Sequence, residues 1–189
     1  MNTIARLINV AFLAIATMAA GAAGPDYTKI VAELIDPAKL AILGERGANP
    51  RVQKYVYWLA TAQAENVKPA AVAQAAVEAA GYTNKVARKL TVKAMLRNLD
   101  IATKLGCLNK EGLEKMRHGR APTIGKGRYQ GDQLSVDHII PRAVMPGLDN
   151  VIANLELMPL RMNEAKNAKL GPRQRALAYD LRRAGLLSR

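Results

Sequence analysis

Apolar residues change their spacing several times along the chain, and each change predicts a different kind of element. Residues 7–18, LINVAFLAIATM, form an uncharged and strongly apolar run. From Asp26 to about His118 the spacing is helical. Ile30, Val31, Leu34 and Ile35 recur at threes and fours before Pro37 opens a new turn and Gly44 and Gly47 close the segment. Asn49-Pro50 reads as an N-cap followed by proline at the first helical position. Tyr55, Trp58, Leu59 and Ala62 then fall at i, i+3, i+4 and i+7. This aromatic face is expected in the core rather than as a base-stacking platform, because a helix needs a packed face to persist. Pro69 to Ala80 predicts a short Ala-rich helix ending at Gly81, Thr83 or Asn84 caps a longer one to about Leu105, and Asn109 caps another to near Arg117.

Past His118 the helical period stops. The stretch HGRAPTIGKGRYQGD is rich in Gly and reads as loop, and its glycines do not match the phosphate-loop pattern. Leu134 to Ile140 carries a short strand signal ended by Pro141. A loop with the turn formers Pro146-Gly147 and Asp149-Asn150 leads to Asn154, then to Leu155, Leu157 and Met158 in a second strand able to pair with the first as a hairpin. From about Leu160 the pattern is helical again, with Asn163, Lys166 and Asn167 at i, i+3 and i+4 on one face. Gly171-Pro172 ends that helix and starts another, an amphipathic closing helix whose apolar Leu177, Tyr179, Leu181 and Leu186 are flanked by Arg173, Arg175, Arg182, Arg183 and Arg189 and are expected to cover the small module. The expected fold is mainly α with a small α+β module: a helical region over 25–118, a strand-strand-helix module over 119–171 and a closing helix over 172–189.

Composition adds a partner class. The 189 residues hold 28 Lys plus Arg against 15 Asp plus Glu, a formal net charge of +13. Such a field concentrates polyanions, nucleic acid first. Between Asn84 and Gln130 the imbalance sharpens to twelve basic and three acidic residues, with Lys85, Lys89, Lys93 and Arg97 forming a ridge on the long helix. The apolar run near the start is shorter than a membrane span requires, and Ala20-Gly21-Ala22 fits a signal-peptidase site. Residues 1–23 are therefore expected to be a secretion signal peptide, giving a secreted or periplasmic protein with no stable membrane association after cleavage. Cys107 is the single cysteine, which excludes an intrachain disulfide and a Cys-pair zinc site.

The candidate chemistry lies between Leu134 and Leu170, where VDHIIP, ANLELMP and MNEAKNAK follow one another. A β-β-α arrangement carrying Asp-His, Asn and Asn in this order, with Asn163 nine residues after Asn154, resembles the HNH endonucleases, the ββα-metal family. The resemblance covers about forty residues, 132–171, and none of the upstream helices. It implies that Asp137 and Asn163 ligate one divalent cation, that His138 is the general base, and that Asn154 braces the loop presenting His138. Asn167 is the competing helical ligand, and the family spacing favours Asn163. The third motif residue here is Asn rather than His. A carboxylate and an amide oxygen are hard ligands, which favours Mg²⁺ or Mn²⁺ over Zn²⁺.

The reaction needs such residues. A phosphodiester repels nucleophiles, so a site must neutralise developing charge and activate a water. A neutral imidazole can take the water proton. Lys166 is expected on a phosphate oxygen, with Arg142 or Arg161 adding contacts. Lys126 and Arg128 would line a basic loop leading to the site, with His118 at its start as a further phosphate contact. Hydrolysis would leave 5′-phosphate and 3′-hydroxyl ends, with DNA placed before RNA as substrate and the choice between them left open by the sequence. The alternative is an exported cationic protein that binds nucleic acid on an inactive HNH fold. An immunity or inhibitor partner is left open.

Overall fold

The computed structural model describes residues 24–166 and 170–187; the signal peptide expected at 1–23 and the competing ligand Asn167 lie outside them. The described chain is mostly helical with one small antiparallel sheet. Six helices come first: α1 (Tyr27–Ile35), α2 (Pro37–Ala41), α3 (Asn49–Ala64), α4 (Pro69–Ala79), α5 (Lys85–Lys104) and α6 (Lys110–Arg117). Strands β1 (Leu134–His138) and β2 (Leu155–Pro159) follow, then α7 (Leu160–Ala165) and α8 (Pro172–Arg183). Among the described residues no helix is long and apolar enough to cross a membrane.

Local chemistry sets most of the boundaries. Asp26, Asp36, Asn84 and Asn109 each accept backbone N–H groups of the helix they precede. α4 gives way to Gly81 at φ +83°, a left-handed position that suits glycine. One expected cap is displaced. α3 begins at Asn49 itself and Ala48 stands at its N-cap, with no side-chain capping bond. The Asn49 side chain is turned inward and its Oδ1 has no hydrogen-bond partner. The backbone at Ala48 instead donates to Asn150 of the hairpin loop, 2.9 Å away. A tertiary contact has replaced the local one.

One continuous core joins the helices to the hairpin. Val31, Ile35, Val52, Tyr55, Val56, Leu59, Ala73, Ala76, Ala94 and Met95 pack with Leu134, Val136, Leu155 and Leu157 of the two strands. Tyr55, Leu59 and Ala62 are fully buried and Trp58 packs partly buried beside them, so the aromatic face is core. Cys107 is buried too. Burial pushes its thiol up to about 11, so it stays protonated and is not a nucleophile. A second cluster of Ile140, Leu148, Ala153, Ala178 and Leu181 seats α8 against the hairpin loop. Tyr179, expected on the packed face of that helix, is instead exposed and lies under the Arg183 guanidinium.

A two-stranded hairpin is marginal alone, and its outer edges must be satisfied. β1 and β2 pair in the register Leu134↔Pro159, Val136↔Leu157 and His138↔Leu155. Along the outer edge of β2, Asn98 of α5 donates to the Leu155 carbonyl at 3.1 Å and accepts the Leu157 N–H at 3.0 Å. Its amide also reaches Tyr55 Oη at 2.6 Å. Gln53 of α3 donates to the Leu134 carbonyl at 3.0 Å. Polar residues at fully buried helix positions thus complete the sheet. Asn98→Ala is expected to strand the Leu157 N–H and the Tyr55 hydroxyl, while Arg97 Nη2 keeps the Leu155 carbonyl paired, and to cost about 2–4 kcal/mol, lowering the Tm by roughly 5–15 °C in thermal unfolding. A change under about 1 °C would contradict the edge role.

Candidate functional site

The alternation of β1 puts Leu134 and Val136 in the core and Ser135 and Asp137 on the opposite face. At the strand's end a cleft of about 240 Å³ opens, lined by Arg46, Asp137, His138, Pro141, Arg142, Asn163 and Lys166. Asp137, His138 and Asn163, named from the motif, therefore face one space. Arg142 and Lys166, assigned to phosphate, face it as well. Asn163 comes from α7, and its amide nitrogen donates to Ser135 Oγ at 3.2 Å, which leaves the amide oxygen as its ligand-type atom.

His138 is almost fully buried and held at one nitrogen. Nε2 lies 2.8 Å from Asp149 Oδ1 and 3.0 Å from the Asp149 carbonyl oxygen. Both atoms are acceptors, so Nε2 carries the ring proton and Nδ1 keeps its lone pair. Asp149 is itself anchored, because its Oδ2 accepts the backbone N–H of Arg46 at 2.9 Å. Beside it Asn150 donates to the carbonyls of Leu43 and Gly44, both at 3.1 Å, and accepts from Ala48 N. Arg46 sits at φ +55°, a conformation unusual outside glycine, in the turn that receives the loop.

Asn154 closes the same loop from within. Fully buried, it accepts the Ile140 N–H at 2.8 Å and donates to the carbonyls of Ile140 and Leu148 at 3.1 and 3.3 Å. The Ile139 N–H in turn reaches the Asn154 carbonyl at 2.8 Å. The segment after His138 is thereby pinned at both ends.

Lys166 departs from its expected place. α7 ends at Ala165, and Lys166 follows it with an extended backbone rather than lying one turn further along a helix. Its Nζ lies 2.5 Å from Asp137 Oδ2 and 2.6 Å from the His138 carbonyl oxygen. The cationic group reserved for a phosphate is instead on the carboxylate reserved for a metal.

Next to Asp137 across the sheet stands Glu156, also buried. Arg173 of α8 grips it with two bonds of 3.0 and 2.5 Å. Arg97 Nε lies 3.0 Å from the same carboxylate without being aimed for a hydrogen bond, while its Nη2 donates to the Leu155 carbonyl. Burial pulls the Arg97 guanidinium down and Glu156 opposes that pull. So Arg97, the last member of the expected basic ridge, is spent inside the protein. Lys85, Lys89 and Lys93 remain exposed.

Four further residues named from the sequence do not line the cleft. Arg161 is engaged with Asp132, its backbone N–H 3.1 Å and its Nε 3.4 Å from Oδ2. Arg128 stacks over Tyr129, 4.5 Å from the ring centroid, and Lys126 lies exposed against Gly106. His118 is the C-cap residue of α6 and sits 2.9 Å from Glu114. The bonds from Arg117, then His118, hold the Glu114 carboxyl down to about 2. Conversely, Arg46, Asp149 and Arg173 were not singled out from sequence. Only Asp149-Asn150 carried a signal, as a turn.

Among the described residues no three His, Cys, Asp or Glu side chains gather at one point. A cation here would be held by the Asp137 carboxylate and the Asn163 amide, with waters completing its shell as hard divalent ions prefer. The position beside Asp137 already accommodates a cationic group, the Lys166 ammonium, so the donor chemistry fits. No protein-family model matches the chain, and neither a curated protein nor a solved structure matches it.

Proposed function

We propose that the chain is a metal-dependent HNH-type endonuclease that hydrolyses nucleic-acid phosphodiesters, DNA before RNA, leaving 5′-phosphate and 3′-hydroxyl ends. The observation that carries this reading is the pair of Asp149 acceptors on Nε2 of His138, in a cleft shared with Asp137 and Asn163. With the proton on Nε2, Nδ1 is available to take a proton from water. The water oxygen then bonds to phosphorus as the bond to the 3′ oxygen breaks, and that oxygen takes up a proton from solvent to become the 3′-hydroxyl. Asp149 holds the imidazole and offsets the charge it gains. Arg142 and Arg46 on the rim supply positive charge for the substrate phosphates, and Arg142 must share itself with Glu45, 2.6 Å away. Asp137 and Asn163 would hold one Mg²⁺ or Mn²⁺, whose chemistry is to neutralise charge on the phosphate and the leaving oxygen. The exposed Lys85, Lys89 and Lys93 and the overall charge of +13 favour a polyanionic substrate. Residues 1–23, with their signal-like pattern, place that substrate outside the cytoplasm in this reading.

Purified protein incubated with supercoiled plasmid is expected to nick it with Mg²⁺ or Mn²⁺ and to stop in chelator. A single-stranded DNA and an RNA of the same sequence in parallel reactions report the substrate preference. Retention of all three nucleic acids without cleavage in any metal would sink the hydrolase and leave the cationic binding protein.

A further inference from the structure

We infer that Lys166 is a built-in occupant of the cation position, which a divalent ion must displace, so that metal binding is coupled to the arrival of a nucleic-acid phosphate. The inference rests on the nuclease reading above and concerns how its metal site is loaded. Asp137 is nearly buried, with a side chain 9% exposed, and a buried carboxylate requires a counter-charge. Lys166 provides it. An ammonium has three donors and no acceptor. Here they reach three oxygens: Asp137 Oδ2 at 2.5 Å, the His138 carbonyl at 2.6 Å and the Ile139 carbonyl at 3.4 Å. The last two are backbone atoms at the strand's end, so this is a formed seat rather than a chance surface pair.

A divalent ion on Asp137 cannot share that seat. Two like charges a few ångströms apart repel strongly where solvent is scarce, so the ion and the ammonium are competitors for one carboxylate. The ammonium has a destination, because Lys166 lines the same cleft as Arg46 and Arg142, where a phosphate would lie. It also lies past the last residue of α7, with ψ 126°, so its side chain can turn outward without breaking that helix. A phosphate oxygen that accepts the ammonium vacates Asp137, and a metal on Asp137 releases the ammonium to the phosphate. The two ligands therefore strengthen each other's binding, reciprocally, as linkage requires.

The test is a Mn²⁺ titration read by the loss of the free-ion electron paramagnetic resonance signal, without any turnover. Lys166→Met, and Lys166→Gln as a variant that keeps a donor for the His138 carbonyl, are expected to bind Mn²⁺ about tenfold or more tighter than wild type in the absence of nucleic acid. Their metal-free Tm should fall, and the rise in Tm on adding Mn²⁺ should exceed that of wild type. In a His138→Ala background, which slows cleavage, a duplex oligonucleotide should tighten Mn²⁺ binding more when Lys166 is present than in Lys166→Met, where only the direct attraction between phosphate and ion remains. Equal or weaker Mn²⁺ binding by both Lys166 variants, abolished in each case by Asp137→Asn, would overturn the competition and leave the metal site standing. Failure of wild type and variants alike to bind Mn²⁺, with or without oligonucleotide, would overturn the metal-site reading and this inference with it.

Discussion

His138→Ala is expected to lower metal-dependent nicking by about 10²–10⁴-fold, the range that a positioned general base contributes, while duplex binding stays within about twofold of wild type. Binding should survive because the imidazole is not a substrate anchor. Its Nε2 is committed to Asp149 and its ring is buried, so the side chain offers the substrate only Nδ1. The fold should survive as well, because the loop after His138 keeps the bonds of Asn154 and Asn150, and Asp149 keeps the Arg46 N–H, when the ring is removed. Initial nicking rates at saturating metal, set beside a gel-shift titration, separate the two quantities. Nicking by His138→Ala within about tenfold of wild type would remove the residue from the role of base.

Asn154→Ala should act through stability instead. The alanine strands the Ile140 N–H and the carbonyls of Ile140 and Leu148, in a place that excludes water. Each stranded group costs about 1–3 kcal/mol, so a loss of about 3–5 kcal/mol is expected, with the Tm lower by roughly 8–15 °C. Asn154→Asp separates shape from hydrogen bonding, because it keeps the volume but aims a second acceptor at two carbonyl oxygens. It should be destabilised to a comparable degree in urea unfolding. Wild-type stability in both variants would show that the loop is held by other means.

The parts of the fold that depend on nearby residues could be read from the chain. Asn84 and Asn109 cap the helices they precede, Gly81 stops α4, and Leu134, Val136, Leu155 and Leu157 alternate into the core, because each depends on neighbours within one turn or one pleat. The cleft could be read only as a set of names. That Asp137, His138 and Asn163 share a space follows from the β1–β2 register and from α7 starting directly after β2. The partners that the chain did not reveal have one physical origin. Lys166, Arg161 and Arg97, expected to face phosphate, each have a carboxylate brought near only by tertiary folding: Asp137, Asp132 and Glu156. Charge shows that a side chain will find a counter-ion, and only the fold determines which one. The displaced cap at Ala48 has the same cause, a hairpin-loop residue far along the chain taking the place of a local partner.

The bond from Arg46 N to Asp149 Oδ2 spans 103 positions of sequence, and its neighbour from Ala48 N to Asn150 Oδ1 spans 102. Closing so long a loop is slow compared with forming helices or a hairpin. During folding, α3 to α5 and the β1–β2 pair can therefore assemble before the turn at Arg46 captures the hairpin loop. Until that capture Asp149 lacks its anchor, and the imidazole it orients lacks a settled tautomer. In the nuclease reading, hydrolytic competence would then be among the last properties acquired as the chain folds. Excising residues 119–171 would keep the metal-ligand candidates and lose the turn that anchors Asp149 beside His138.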